Sequence, residues 1–267
     1  MSSQKTRAER STARKSATSV DAFLGGRINV VQPRGGHRAG SDAVFLAAAV
    51  PARAGERVLD VGAGVGVAGL CLLARVPRLE VTAVEIDEEL CTLADKNAER
   101  NGVSANFTVI NADVMGSAKA HRAAGLVRDG YDHVIANPPF YAEGSVRAAP
   151  DKGRATAHVM GVGALAAWVR FLTTYAAPKG CITMIHRVEC LGELLGLLEP
   201  RFGDLAVFPL FPKRGDPASR IIVQGRKGSR AGTKLLQGLV LHEADGRYTD
   251  EAEAVLRGGE ALLIGSK

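Results

Sequence analysis

Val58-Leu59-Asp60-Val61-Gly62-Ala63-Gly64-Val65-Gly66 reads as a buried strand running into a glycine-rich turn. Glycines there let the backbone bend sharply and approach a ligand ahead of a helix N-terminus. A helix comes at once, because Val67, Leu70, Cys71 and Ala74 fall at i, i+3, i+4 and i+7. Outward from this unit, short β-branched runs alternate with similar stripes. The pattern predicts strands at Arg57–Val61, Glu80–Glu85, Phe107–Ile110, His133–Ala136, Cys181–Ile185, Leu205–Leu210 and Arg220–Gln224. Helical stripes lie at Leu90, Leu93 and Ala94, at Leu165, Trp168, Val169 and Leu172, and at Leu191, Leu194, Leu195 and Leu198. Strands alternating with amphipathic helices imply parallel strands joined by helical crossovers. The fold class is therefore α/β, a doubly wound, Rossmann-like sheet of seven strands, mostly parallel. Pro212, Gly215 and Pro217 separate the last two strands with no helical pattern, which predicts an antiparallel hairpin at one sheet edge. Pro209 is tolerated at such an edge.

Composition sets the outer bounds. The 267 residues are 46% hydrophobic and 23% charged, enough to build a core. A wholly disordered chain and a disulfide-stapled miniature are excluded. No apolar run approaches the roughly 18 residues that span a bilayer. Cys71, Cys91, Cys181 and Cys190 form no CxxC pair and follow no secretory leader, so they are expected as buried free thiols of a reducing compartment, not zinc ligands. Met1–Ser19 carries Lys5, Arg7, Arg10, Arg14 and Lys15 against Glu9, with almost nothing apolar to bury. A flexible basic tail over residues 1–24 is expected, with an RNA-touching arm or a transit peptide as alternatives. One domain then covers 25–267.

In doubly wound sheets, ligands bind beyond the carboxyl ends of the strands. Asp60 closes the first strand, where a carboxylate opposes a pyrophosphate but suits a cationic amino-acid group. Glu85 closes the second, where it can accept from two ribose hydroxyls. Asp113 comes after the third and can accept from an adenine amino group. Each acid alone could be a helix cap, as Asp87 or Asp113 could be. A glycine loop with three acids in strand order suits S-adenosylmethionine. The dinucleotide fingerprint is also present, as Gly64-x-Gly66-x-x-Gly69 with Glu85 about 20 residues on, so an NAD-linked oxidoreductase stands as the alternative from another class.

The fourth strand runs into Asn137-Pro138-Pro139-Phe140. Two prolines stiffen the turn and leave the Pro138 carbonyl free to accept, while the Asn137 side-chain oxygen is a second acceptor. Two acceptors gripping both hydrogens of a conjugated NH2 favour a pyramidal nitrogen, its lone pair aimed at an electrophilic methyl. Phe140 offers a face for a planar base, a stack worth about 1–3 kcal/mol.

These motifs together resemble the class I S-adenosylmethionine-dependent methyltransferases that modify exocyclic or amide nitrogen. More narrowly, the chain resembles the bacterial valine-tRNA (adenine-N6)-methyltransferases, which act in the anticodon loop. That resemblance covers nearly everything after Leu24. It brings in Gly36-His37-Arg38-Ala39-Gly40-Ser41-Asp42-Ala43 as a segment covering the cofactor, within an N-terminal lid segment of residues 25–55, Arg154-Ala155-Thr156-Ala157-His158 after the catalytic turn, and Leu239-Val240-Leu241 with Tyr248-Thr249 as a closing segment. The expected catalytic set is Asn137, Pro138, Pro139 and Phe140. The cofactor set is Arg38, Ser41, Asp42, Asp60, Gly62, Gly64, Gly66, Glu85, Ile86, Asp113 and Asn137. For substrate, Phe140, Arg154, His158, Arg214 and Arg220 are expected.

Net charge is +6. Two loops at strand ends are basic, one with Arg147, Lys152, Arg154 and His158, the other with Lys213 and Arg214 ahead of Arg220. They predict an RNA-facing rim with salt-sensitive binding. Arg226, Lys227, Arg230 and Lys234 form a further basic run whose face the sequence does not place. His121, His133 and His186 lack metal-ligand spacing and are expected to be structural, with His37 in the lid. Trp168 is expected in the core. The function expected is methyl transfer from S-adenosylmethionine to an exocyclic amine of RNA, adenine N6 in tRNA first, in the cytoplasm, with no metal and no membrane. Within methyl transfer the alternatives are guanine N2 of ribosomal RNA and a protein glutamine amide.

Overall fold

A computed structural model describes residues 18–36, 38–139 and 163–264. The glycine-flanked strand β3 (Arg57–Val61) pairs in parallel with β4 (Glu80–Glu85) on one side and β6 (Tyr131–Ala136) on the other. β4 continues in parallel to β5 (Phe107–Asn111), and β6 to β7 (Ala176–Arg187). Seven strands thus run in the order β5-β4-β3-β6-β7-β9-β8, where β8 is Phe202–Lys213 and β9 is Arg220–Lys227.

The expected antiparallel hairpin is present on this side of the sheet as β8 and β9. β9 inserts antiparallel between β7 and β8, so β8 runs with the parallel strands. Two short strands, β10 (Lys234–Leu235) and β11 (Leu239–His242), add in parallel to the outer side of β8 and make the sheet nine-stranded. Pro209 is tolerated because the outer pairing breaks between Leu235 and Leu239, opposite its missing N–H.

Helices cover both faces. α1 (Ser41–Ala49), α2 (Val67–Arg75), α3 (Glu88–Arg100) and α7 (Asp250–Leu256) bury their apolar residues in one cluster. α5 (Ala164–Tyr175) and α6 (Leu191–Leu198) join Leu126 and Tyr131 in the other, and α4 (Ala118–Ala123) precedes β6. Trp168 is 7% exposed in this second layer, as expected of a core residue.

The described chain begins in β1 (Thr18–Phe23), inside the stretch assigned to the tail. β1 forms an antiparallel hairpin with β2 (Ile28–Pro33), and Phe23, Leu24, Ile28 and Val30 pack into the first layer. Residues 18–24 therefore belong to the folded domain and not to the tail, because their apolar side chains have a core to meet. Residues 1–17 lie outside the described residues. β2 is held by α3 in place of a further strand: Asn97 Oδ1 accepts from Val31 N at 2.8 Å, and Asn101 Oδ1 from Asn29 N at 3.0 Å. Each asparagine also donates to the carbonyl of the residue whose N–H it takes.

All four cysteines are free thiols; Cys190 is half-buried rather than buried, and burial pushes Cys71 up to about 12 and Cys181 to about 11. Among the described residues no helix is long and apolar enough to cross a membrane, and no group of metal-ligating side chains assembles.

Candidate active site

Parallel register fixes which residues share the carboxyl edge of the sheet. Val61 lies opposite both Val84 and Ala136, and Glu85 opposite Asn111. The Asp60–Gly66 turn, Glu85, the Asn111–Asp113 turn and Asn137 therefore cap neighbouring strands at one level.

The glycine loop is tied down by backbone bonds. Gly62 N and Ala63 N both donate to Val84 O, at 2.8 and 3.0 Å, and Gly64 N donates to Glu85 Oε2 at 2.9 Å. Gly62, Gly64 and Gly66 all have positive φ, but space divides them. A Cβ on Gly62 would strike the Trp168 ring, and one on Gly66 would come within 2.9 Å of Phe107. On Gly64 it would meet nothing within 4 Å. The first two serve packing; Gly64 alone faces open space.

Asp60 is 2% exposed, and its Oδ2 accepts from Gly69 N in the first turn of α2 at 3.1 Å. Burial pushes its carboxyl up to about 7, with the Gly69 bond opposing and the charge of Glu85 adding. Glu85 Oε1 accepts from Ile86 N and Asp87 N. Its carboxylate is thus held between the glycine loop, through Oε2, and the turn into α3, through Oε1. Asp87 is the N-cap of α3, accepting from Glu89 N and Leu90 N. Asp113 closes a turn, its Oδ1 accepting from Met115 N at 2.8 Å, and is exposed.

Beyond β6, Pro138 is buried, Pro139 is exposed and Asn137 is half-buried. The Asn137 Oδ1 atom is inaccessible to solvent and accepts no hydrogen bond from the described residues. An amide oxygen left so costs about 1–3 kcal/mol unless a donor arrives.

A model of the methyltransferase small domain matches residues 38–151, which run from the cover segment through the Asn-Pro-Pro-Phe corner. Curated relatives described as tRNA1(Val) (adenine(37)-N6)-methyltransferases include one from Shewanella sediminis, 26% identical over 82% of this chain and 90% of its own, and one from Aeromonas hydrophila, 28% identical over 84% and 90%. Among solved structures, a protein described as a predicted O-methyltransferase from Agrobacterium tumefaciens superposes with TM-score 0.70 at 29% identity, covering 83% of this chain and 98% of that one. These findings support a class I S-adenosylmethionine-dependent methyltransferase.

The methyltransferase site fits its cofactor. Gly64 leaves open space at the loop, beside which Asp60 would hold the cationic amino-acid end and Glu85 would accept from the ribose hydroxyls. The dinucleotide reading fails on the same geometry, since a pyrophosphate at the start of α2 would meet the Asp60 carboxylate already bonded to Gly69 N.

Other expected site residues are engaged with one another. Arg220 Nε donates to Asp42 Oδ2 at 3.0 Å, joining the start of α1 to the start of β9, although the sequence assigned one to cofactor and the other to substrate. Arg38 forms an ion pair with Asp21 and donates to Ser19 Oγ and Pro33 O, fastening the cover segment to the β1–β2 hairpin. Ser41 opens α1, and Arg214 is exposed in the β8–β9 loop. His37, Phe140, Arg147, Lys152, Arg154 and His158 lie outside the described residues. His186 is buried at the carboxyl end of β7, where burial, aided by Arg220 and Arg187, lowers its pKa.

Sequence reasoning missed three participants. Trp168 is a core residue whose ring also backs Gly62. Asn97, fully buried, donates to Val65 O in the glycine loop at 3.1 Å while holding β2. Met115 is 52% exposed in the loop after β5, on the same rim as Ile86 at 49%. A polar residue on the apolar stripe of α3 was the available signal for Asn97; Met115, two residues after Asp113, gave none.

Proposed function

We propose that this methyltransferase modifies an exocyclic amine of RNA, the N6 amine of an adenine in tRNA. The observation that carries the reading is the buried, unpartnered Asn137 Oδ1 at the end of β6, beside a proline-stiffened backbone. S-adenosylmethionine supplies an electrophilic methyl on a sulfonium. Asn137 Oδ1 accepts one hydrogen of the amine and the Pro138 carbonyl the other, which turns the nitrogen lone pair toward that methyl. Phe140 stacks on the base, and the target nucleotide must leave its helix to reach the pocket. Ile86 and Met115 flank the cofactor adenine, with Asp113 as an acceptor for its amino group. Arg38, Ser41 and Asp42 belong to the covering segment, while Arg154, His158, Arg214 and Arg220 serve the RNA side.

The tRNA-modifying relatives support the acceptor, since they align over more than four fifths of this chain. The nitrogen-gripping corner favours an amine over the hydroxyl implied by the description of the Agrobacterium protein. Work on tRNA suits a cytoplasmic enzyme. The test is incubation with labelled S-adenosylmethionine and, separately, bulk tRNA from cells lacking this protein, ribosomal RNA and a peptide release factor. Nucleoside digestion of labelled tRNA should yield N6-methyladenosine. Label in guanine N2 or in a glutamine amide instead would replace this reading with one of its alternatives.

A further inference from the structure

Resting on the RNA reading of the active site, we infer that a basic cluster at the amino edge of the sheet, opposite the catalytic corner, is a second contact surface for the RNA phosphate backbone. β9 runs antiparallel, so its carboxyl end returns to the edge where β7 and β8 begin. Arg226 lies opposite both Cys181 and Gly203, and its guanidinium donates to Lys179 O at 3.0 Å. The chain then turns tightly, with Gly228 N donating to Arg201 O and Ser229 N to Arg226 O. Asp204 N bonds Ala231 O, and a Cβ on Gly203 would lie 2.5 Å from Ser229 O. Arg201, Arg226 and Arg230 are thereby gathered by one closely packed turn, with Lys179 beside it, and all four are exposed.

The acids of this edge are mostly engaged, Asp132 at the start of β6 by Arg57 N, which donates to its Oδ2 at 2.9 Å. Asp129 pairs with Lys227 at 2.7 Å and with Arg128 at 3.5 Å, while Asp204 pairs with Lys234 at 2.9 Å. Glu199, at the end of α6, is exposed close to Arg201 in sequence. Among the described residues, none of the four outward cations forms an ion pair. Three are arginines, whose forked donors match phosphate. The occupant is a polyanion, and the active site implies which one.

The cluster lies up to roughly 17 Å below the catalytic level, taking five residues of β7 from Lys179 to Met184 at 3.3 Å each. β8 stands three strands from β6, roughly 14 Å sideways. A single flipped nucleotide does not bridge that separation of roughly 20 Å; a folded RNA does. The surface therefore reads the bulk of the RNA, while the corner reads the base.

The test compares wild type with the exposed charge reversal R201E/R230E, using intact tRNA and a short hairpin cut from its methylated region. The double variant should raise KM for intact tRNA about tenfold and flatten its salt dependence by about one unit per cation removed. The value of kcat, the affinity for S-adenosylhomocysteine and the melting temperature should stay at wild-type values, as should KM for the hairpin. Unchanged KM for intact tRNA, or an equal rise for tRNA and hairpin, overturns the second surface and leaves the RNA reading standing. If the wild-type enzyme methylates no RNA, both fall together.

Discussion

The two edges of the sheet treat buried polar groups in opposite ways. At the amino edge they are mostly satisfied by the fold. Lys227 reaches Asp129 and the carbonyls of Thr173 and Ala176, and His133 Nε2 lies 2.8 Å from Glu56 Oε2. At the carboxyl edge they are left wanting: Asn137 Oδ1 has no donor among the described residues, Asp60 is pushed up to about 7, and Gly64 faces empty space. His133 Nδ1 and Arg75 Nε are exceptions on that side, buried nitrogens without a partner among the described residues. The contrast separates residues that hold the fold from those that await a ligand, although both kinds line strand ends.

The contrast breaks most sharply at Asn137. Asn137→Ala should cut methyl transfer by about a thousandfold, in the range found for losing one group of a preorganised transition-state grip. Affinity for S-adenosylhomocysteine should stay within a few-fold by calorimetry. A parallel loss of both would make Asn137 a cofactor-site residue and remove the division of labour.

Asp60 sharpens the comparison through pH. Its folded pKa is raised, so the native state holds a proton that the unfolded chain releases, and stability must fall as pH climbs. The contribution is fully present below pH 3.8 and is lost as pH passes through about 7. Relative to Asp60→Asn, ligand-free wild type should weaken by up to about 4 kcal/mol over that interval in urea unfolding. Saturating S-adenosylmethionine should flatten the difference, because its cationic end favours the carboxylate. A difference independent of pH would mean that Asp60 stays ionised through its bond to Gly69.

The glycine loop contains the same contrast within a few residues. Gly62→Ala forces a methyl into the Trp168 ring in addition to its strained φ of +68°, and should cost about 3 kcal/mol of stability. Gly64→Ala meets no atom, so only the backbone strain, about 1–2 kcal/mol, should appear in the melt. Its larger effect should fall on S-adenosylhomocysteine affinity. Equal stability losses in the two variants would cancel the distinction drawn between them.

Much of this is legible in the chain's local pattern. β3 and β4 have the bounds read from their β-branched runs, and Asp60, Glu85 and Asn137 stand out because each lies at the carboxyl end of a strand. The features that escape depend on tertiary placement. α1 buries seven of its nine residues, so it shows no stripe to distinguish it from a buried strand. β2 carries Gln32, 1% exposed, whose amide bonds Asp21 and Ala39 and disguises a buried strand as polar sequence. The face of Arg226 and Arg230 is fixed only by β9 being antiparallel and internal. Similarly, nothing local reveals that Asp42 and Arg220, 178 residues apart, would find each other.

That pair gives the smallest expected effect and the finest test. Its side chains are 24% and 29% exposed, so water screens the attraction and its coupling should be about 0.5–1 kcal/mol in a double-mutant cycle of unfolding. If its work is to hold the covering segment against β9, the single variants Asp42→Ala and Arg220→Ala should raise the KM for S-adenosylmethionine by similar factors, and the double variant should add little more. If Arg220 instead serves RNA directly, Arg220→Ala should raise the tRNA KM while Asp42→Ala leaves it unchanged. Sequence alone gives the two residues to different ligands; non-additivity in cofactor KM would make them one strut, and additivity would return each to its own.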